Sequence, residues 1–89
     1  MAVPDGRIAL AKRFRFQWEA AQQAHVLLFP EGMVKLNDSA AAILTLCDGT
    51  RDAAGIVSDL SLKFPGAELT AEVHAFLEIA HGRGWITGV

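Results

Sequence analysis

The chain has 89 residues, of which 52% are hydrophobic, eight are Lys or Arg and ten are Asp or Glu, for a net charge of −2. That length suits one domain, and that apolar fraction is too high for a disordered tail. A net acidic chain lacks the clustered basic face that nucleic-acid binding draws on, and the short apolar runs fall far below the roughly 20 residues of a membrane span. The single Cys47 excludes an internal disulfide and a thiolate zinc cluster. No secretory signal pattern opens the chain, so a cytoplasmic location with neither nucleic acid nor membrane as partner is expected.

Residues 1–12 carry the turn signature Pro4-Asp5-Gly6 and are expected to be loosely held, leaving 13–89 as the folded domain. From Arg13 to Trp18 polar and apolar residues alternate, which predicts a strand with Phe14, Phe16 and Trp18 on one face. His25 to Phe29 reads as a second, more buried strand, and Phe29-Pro30-Glu31-Gly32 as a tight turn. Met33 to Leu36 follows as a short third strand, with Met33 and Lys35 pointing away from Val34 and Leu36.

The remainder is helical. Asn37 or Asp38 caps a helix whose apolar stripe is Ala40, Ile43, Leu44 and Cys47, and Asp48-Gly49 stops it. A second stripe runs Ala53, Ile56, Val57, Leu60, Phe64 to Pro65-Gly66. Thr70 is the expected cap of a third helix with Val73, Phe76, Leu77 and Ala80 inward, and Trp85 and Ile86 close the core behind it. The expected fold class is α+β, a winged-helix-like arrangement of a three-stranded antiparallel sheet followed by three helices.

Chemistry has little to stand on. His74, Glu78 and His81 share a helix face, and two imidazoles with a carboxylate are a zinc-type donor set. The competing and favoured reading is a solvated polar face, since the His-Glu-x-x-His spacing of zinc proteases is absent. Cys47 lies on a buried stripe, His25 sits in an apolar strand, and Ser39, Ser58 and Ser61 lack a nucleophile-elbow pattern. The expected protein has no catalytic residue, no metal ligand and no cofactor.

A surface remains. In a meander the third strand is an edge, with unpaired N–H and C=O groups, and Ala75, Phe76, Ile79 and Arg83 widen the apolar flank of the third helix. A strand edge beside such a flank takes up an extended peptide by β-augmentation. The alternative buries Ile79 and covers the edge with the N-terminal segment.

The block Leu27-Leu28-Phe29-Pro30-Glu31-Gly32-Met33-Val34-Lys35-Leu36-Asn37, followed by Ala40, Ile43-Leu44 and Leu46-Cys47-Asp48-Gly49, strongly resembles PqqD. The likeness continues through Ile56-Val57, Leu60, Val73, Phe76-Leu77 and Gly84-Trp85-Ile86. It implies a non-enzymatic peptide chaperone of pyrroloquinoline quinone biosynthesis, a RiPP recognition element. Such a protein binds the precursor peptide PqqA as an added strand and presents it to the radical S-adenosylmethionine enzyme PqqE. Carried onto this chain, the implied peptide-binding residues are Met33, Val34, Lys35, Leu36, Ala75, Phe76, Ile79 and Arg83. On this reading Val34→Pro is expected to abolish binding by deleting a ladder donor. A winged-helix DNA-binding regulator is the rival from another class, and an open edge also permits a homodimer.

Overall fold

In the computed structural model, which describes residues 3–89, a two-stranded ribbon and a three-stranded antiparallel sheet surround three helices. The chain order is β1 (Ile8–Leu10), β2 (Arg15–Glu19), β3 (Ala24–Phe29), β4 (Gly32–Lys35), α1 (Asp38–Thr45), α2 (Ala53–Lys63), α3 (Thr70–Gly82) and β5 (Ile86–Gly88). The expected sheet is present, in the order β2-β3-β4, and so is the helical half.

The β1–β5 ribbon is an addition to the expected order. Ile8 pairs with Gly88 and Leu10 with Ile86, so the two ends of the chain are zipped antiparallel. Further bonds tie β1 to the loop between α1 and α2: Leu10 N–H donates to Cys47 C=O at 3.1 Å, and Gly49 N–H to Ile8 C=O at 2.9 Å. The segment expected to be loosely held therefore contains a strand whose Ile8 is fully buried in the core. Burying such a side chain stabilises by about 1.5–3 kcal/mol, which is what fixes this segment despite its turn signature. Met1 and Ala2 lie outside the described residues.

Residues 20–23 close the β2–β3 hairpin, with Gln23 at a left-handed φ of 53°. Burial falls along the first edge from Phe14 through Phe16 to Trp18, which is exposed and touches the edge of His25 rather than the core. His25 stacks flat on Phe16 at 5.0 Å. The β3–β4 hairpin turns through Pro30 and Glu31 alone, pairing Phe29 with Gly32, and an Arg13–Glu31 ion pair straps its outside.

Of the two cap candidates for α1, Asn37 is used: its Oδ1 accepts from Ala40 N–H at 2.8 Å. Asp52 does the same for α2, accepting from Gly55 N–H at 2.8 Å. Thr70, expected to cap α3, is instead its first helical residue; Leu69 occupies the cap position without a side-chain bond, and Glu68 accepts from Thr70 N–H at 2.9 Å. Phe64 leaves the α2 stripe for the surface because the backbone departs from helical geometry there, at φ −125°, ψ 69°. Ile56, Leu60, Val73, Leu77 and Ala80 fill the helix interface, and Trp85 and Ile86 close it.

Candidate functional site

Register decides which backbone groups face outward. In an antiparallel ladder alternate residues bond across to the neighbour, and the others turn their N–H and C=O the opposite way. Leu36 N–H donates to His25 C=O at 3.0 Å, which makes Leu36, Val34 and Gly32 the residues of this segment bonded to β3. Met33 and Lys35 therefore offer their N–H and C=O to the free rim of β4. Among the described residues nothing pairs with that rim, because β4 ends the sheet order and the N-terminal strand has gone to β5.

Beside the rim lies a groove of about 420 Å³. Val34, Lys35 and Leu36 form one bank; Glu72, Phe76 and Ile79 of α3 and its C-cap Arg83 form the other; Ser39, Ala40 and Ile43 of α1, its N-cap Asn37 and Trp85 supply floor and end. Ile79 is 52% exposed, so it is a groove wall and not core. The Phe76 ring tilts against Trp85 at 6.4 Å, and the Arg83 guanidinium lies over the Trp85 ring at 5.5 Å. That stack holds a long, flexible cation in place at the end of the helix.

Two of the eight expected peptide-binding residues do not line the groove. The Met33 side chain sits outside it, although its backbone is on the rim. Ala75 is exposed and also lies outside. Steps of about 100° per residue place Glu72, Phe76, Ile79 and Arg83 within about 60° of arc, a single ridge, while Ala75 falls to one side of it. The sequence reading missed Glu72 because it followed apolar residues, and a groove wall needs shape and not only apolarity. The same register revises the expected effect of Val34→Pro: Val34 N–H serves the β3–β4 ladder, so that substitution attacks the fold, and the rim donors are Met33 and Lys35.

A second, mostly apolar hollow of about 330 Å³ adjoins the groove at Ser39, Ile43 and Glu72, and is walled by Phe64, Ala67, Leu69 and Ala42. Cys47 is a packing residue: burial, reinforced by the neighbouring Asp48 charge, pushes its thiol up to about 12, and Sγ lies 3.4 Å from Ile43 C=O. His74 and Glu78 project from α3, but among the described residues no three His, Cys, Asp or Glu side chains come together to hold a metal ion. The exposed surface of α3 carries Glu72 and Glu78 against Arg83 alone, the wrong balance for tracking phosphates. Among the described residues no helix is long and apolar enough to cross a membrane.

An edge strand, an apolar helix ridge and a shallow channel between them define a winged-helix-like recognition domain. The family model for coenzyme PQQ synthesis protein D matches residues 24–86. A protein of Stutzerimonas stutzeri named PqqA binding protein is 60% identical over 74 residues, covering 82% of this chain and 80% of its own. One of the same name from Pseudomonas aeruginosa PAO1 is 56% identical over 89 residues, covering 97% of both. The solution NMR structure of the PqqD truncation of Methylobacterium extorquens PqqCD, titled a functional, stand-alone RiPP recognition element, superposes with a TM-score of 0.66 at 27% identity, over 90% of this chain and 87% of that one. The chain belongs to the PqqD family, whose members are recognition elements and not enzymes.

Proposed function

We propose that this protein binds the precursor peptide PqqA as an extra strand on the free rim of β4, against the α3 ridge, and holds it for the radical S-adenosylmethionine enzyme PqqE. The names of the close relatives support the peptide, and the unpaired rim beside an apolar wall supports the mode. The observation that carries the reading is the outward orientation of the Met33 and Lys35 peptide groups, as given by the register of β3 and β4. Main-chain bonds to a rim of this kind give affinity for any extended chain, and side-chain pockets beside it select among them. Once the leader part of the peptide is held, the reactive part meets the enzyme at an effective concentration set by the linking segment and not by bulk solution.

Lys35→Pro removes one rim N–H while leaving the bonds to β3 intact, and proline is tolerated at a solvent-facing edge. Calorimetric titration with synthetic PqqA is expected to show at least a tenfold loss of affinity for Lys35→Pro and only a small loss for Lys35→Ala. A folded Lys35→Pro protein with undiminished affinity refutes strand addition. For presentation, PqqE is expected to cross-link PqqA faster with this protein than without it when the peptide is well below saturation of the enzyme; equal rates under that condition refute a carrier role.

A further inference from the structure

The α3 ridge is not uniformly apolar. It starts with a carboxylate, Glu72, continues with Phe76 and Ile79, and finishes with a guanidinium, Arg83, and all four line the same groove. Among the described residues neither Glu72 nor Arg83 takes part in an ion pair. Arg83 is held by the face of Trp85, which leaves its N–H donors free for a carboxylate. Apolar contact at the centre and opposite charges at the two ends make a groove with a sense of direction.

We infer that the groove selects the direction of the guest strand by charge, taking an extended peptide that places an acidic side chain at Arg83 and a basic one at Glu72, with apolar side chains between them. This rests on the reading of the groove as a peptide site and specifies which peptides it takes. The two charges lie about 16 Å apart along the helix axis, at about 1.5 Å per residue. An extended chain covers that in roughly five residues at about 3.3 Å each. Side chains on one face of a strand repeat every second residue, so the matching acidic and basic residues lie about four or six apart, with the apolar ones on the same face between. Backbone bonds alone accept either chain direction on an edge, parallel or antiparallel, and the charges break that tie. A like-charge encounter in the reversed direction adds repulsion to lost attraction, which is how specificity is commonly built.

An acid at the start of a helix and a base at its end also favour the helix itself through the peptide dipoles. The test therefore needs a readout that a structural role leaves unmoved. Two synthetic peptides of identical composition are used, each with two apolar residues on the inward face, one with Glu first and Lys last and the other with the two exchanged. Each peptide carries a nitroxide label at its N-terminus, and its direction is read from the protein NMR signals that the label broadens. Against the wild-type protein at low salt the Glu-first peptide is expected to place its label near Arg83 and the Lys-first peptide near Glu72, and the two patterns are expected to merge in high salt, which screens exposed ion pairs. The double reversal Glu72→Lys with Arg83→Glu is expected to exchange the two patterns. Helix destabilisation alone weakens both peptides alike and exchanges nothing, which overturns the inference. So does the same pattern for both peptides on the wild type. Full-length PqqA, titrated alongside, keeps the two readings apart: if it binds and the two labels fall at the same end, only the directional inference fails, and if it does not bind, the peptide-site reading fails first.

Discussion

The two faces of α3 are built for different ends. On one, Val73, Leu77 and Ala80 are buried to within 1% of completely and meet α2 and β5. On the other, Phe76 is half-buried, Ile79 is mostly exposed, and charges stand at either end. The inner face is close to finished, so any change there costs stability. The outer face is unfinished, with apolar surface left open beside the β4 rim. A single helix thus separates folding from recognition around its circumference, and substitutions a few residues apart are expected to report on one or the other.

The comparison breaks most readily at Leu77, which is fully buried. Leu77→Ala is expected to cost about 2–5 kcal/mol in urea unfolding, and a loss under about 1 kcal/mol contradicts a filled inner face. Phe76 touches both sides, so Phe76→Ala is expected to lose about 1–2 kcal/mol of stability together with several-fold in PqqA affinity, checked by the same unfolding curve and by calorimetry. Asp52→Ala, which removes the α2 cap outside the groove, is expected to cost about 1 kcal/mol with no change in affinity. Ile79→Ala sharpens the contrast from the outer side: stability is expected to stay within about 0.5 kcal/mol while affinity falls several-fold. At the small end lies Cys47. Its thiol is raised above the ordinary value of 9.0 to about 12, so the unfolded chain ionises first. Its contribution is complete below about pH 9 and drains away as pH climbs towards 12, and Cys47→Ala is expected to flatten that alkaline decline in thermal melts.

Much of this was legible in the residues. The alternation from Arg13, the Phe29–Gly32 turn and the three apolar stripes are local patterns, and they sufficed for the β2-β3-β4 sheet and three helices. What escaped was set by partners far along the chain. Ile8-Ala9-Leu10 is too short to show a period, and becomes a strand only because Ile86–Gly88 lies beside it. Parity along β4 was also hidden: which of Val34 or Lys35 faces outward depends on the hairpin register, fixed here by Phe29 opposite Gly32. Glu72 joins the groove through the rotation of α3 about its axis, which the packing of Val73, Leu77 and Ala80 determines. The N-cap of α3 went to Leu69 because Thr70 had already taken helical geometry, with Glu68 accepting from its N–H.

The zipper between Ile8–Leu10 and Ile86–Gly88 has a kinetic consequence. Joining Ile8 to Gly88, 88 − 8 = 80 residues further along, closes a long loop, a step whose entropy is recovered only when the rest is already in place. This clasp is therefore expected to form last and open first, and its amides to exchange with deuterated solvent ahead of those in β3. Because its strands belong to each other, deleting Ile8–Leu10 unseats Ile86–Gly88 as well.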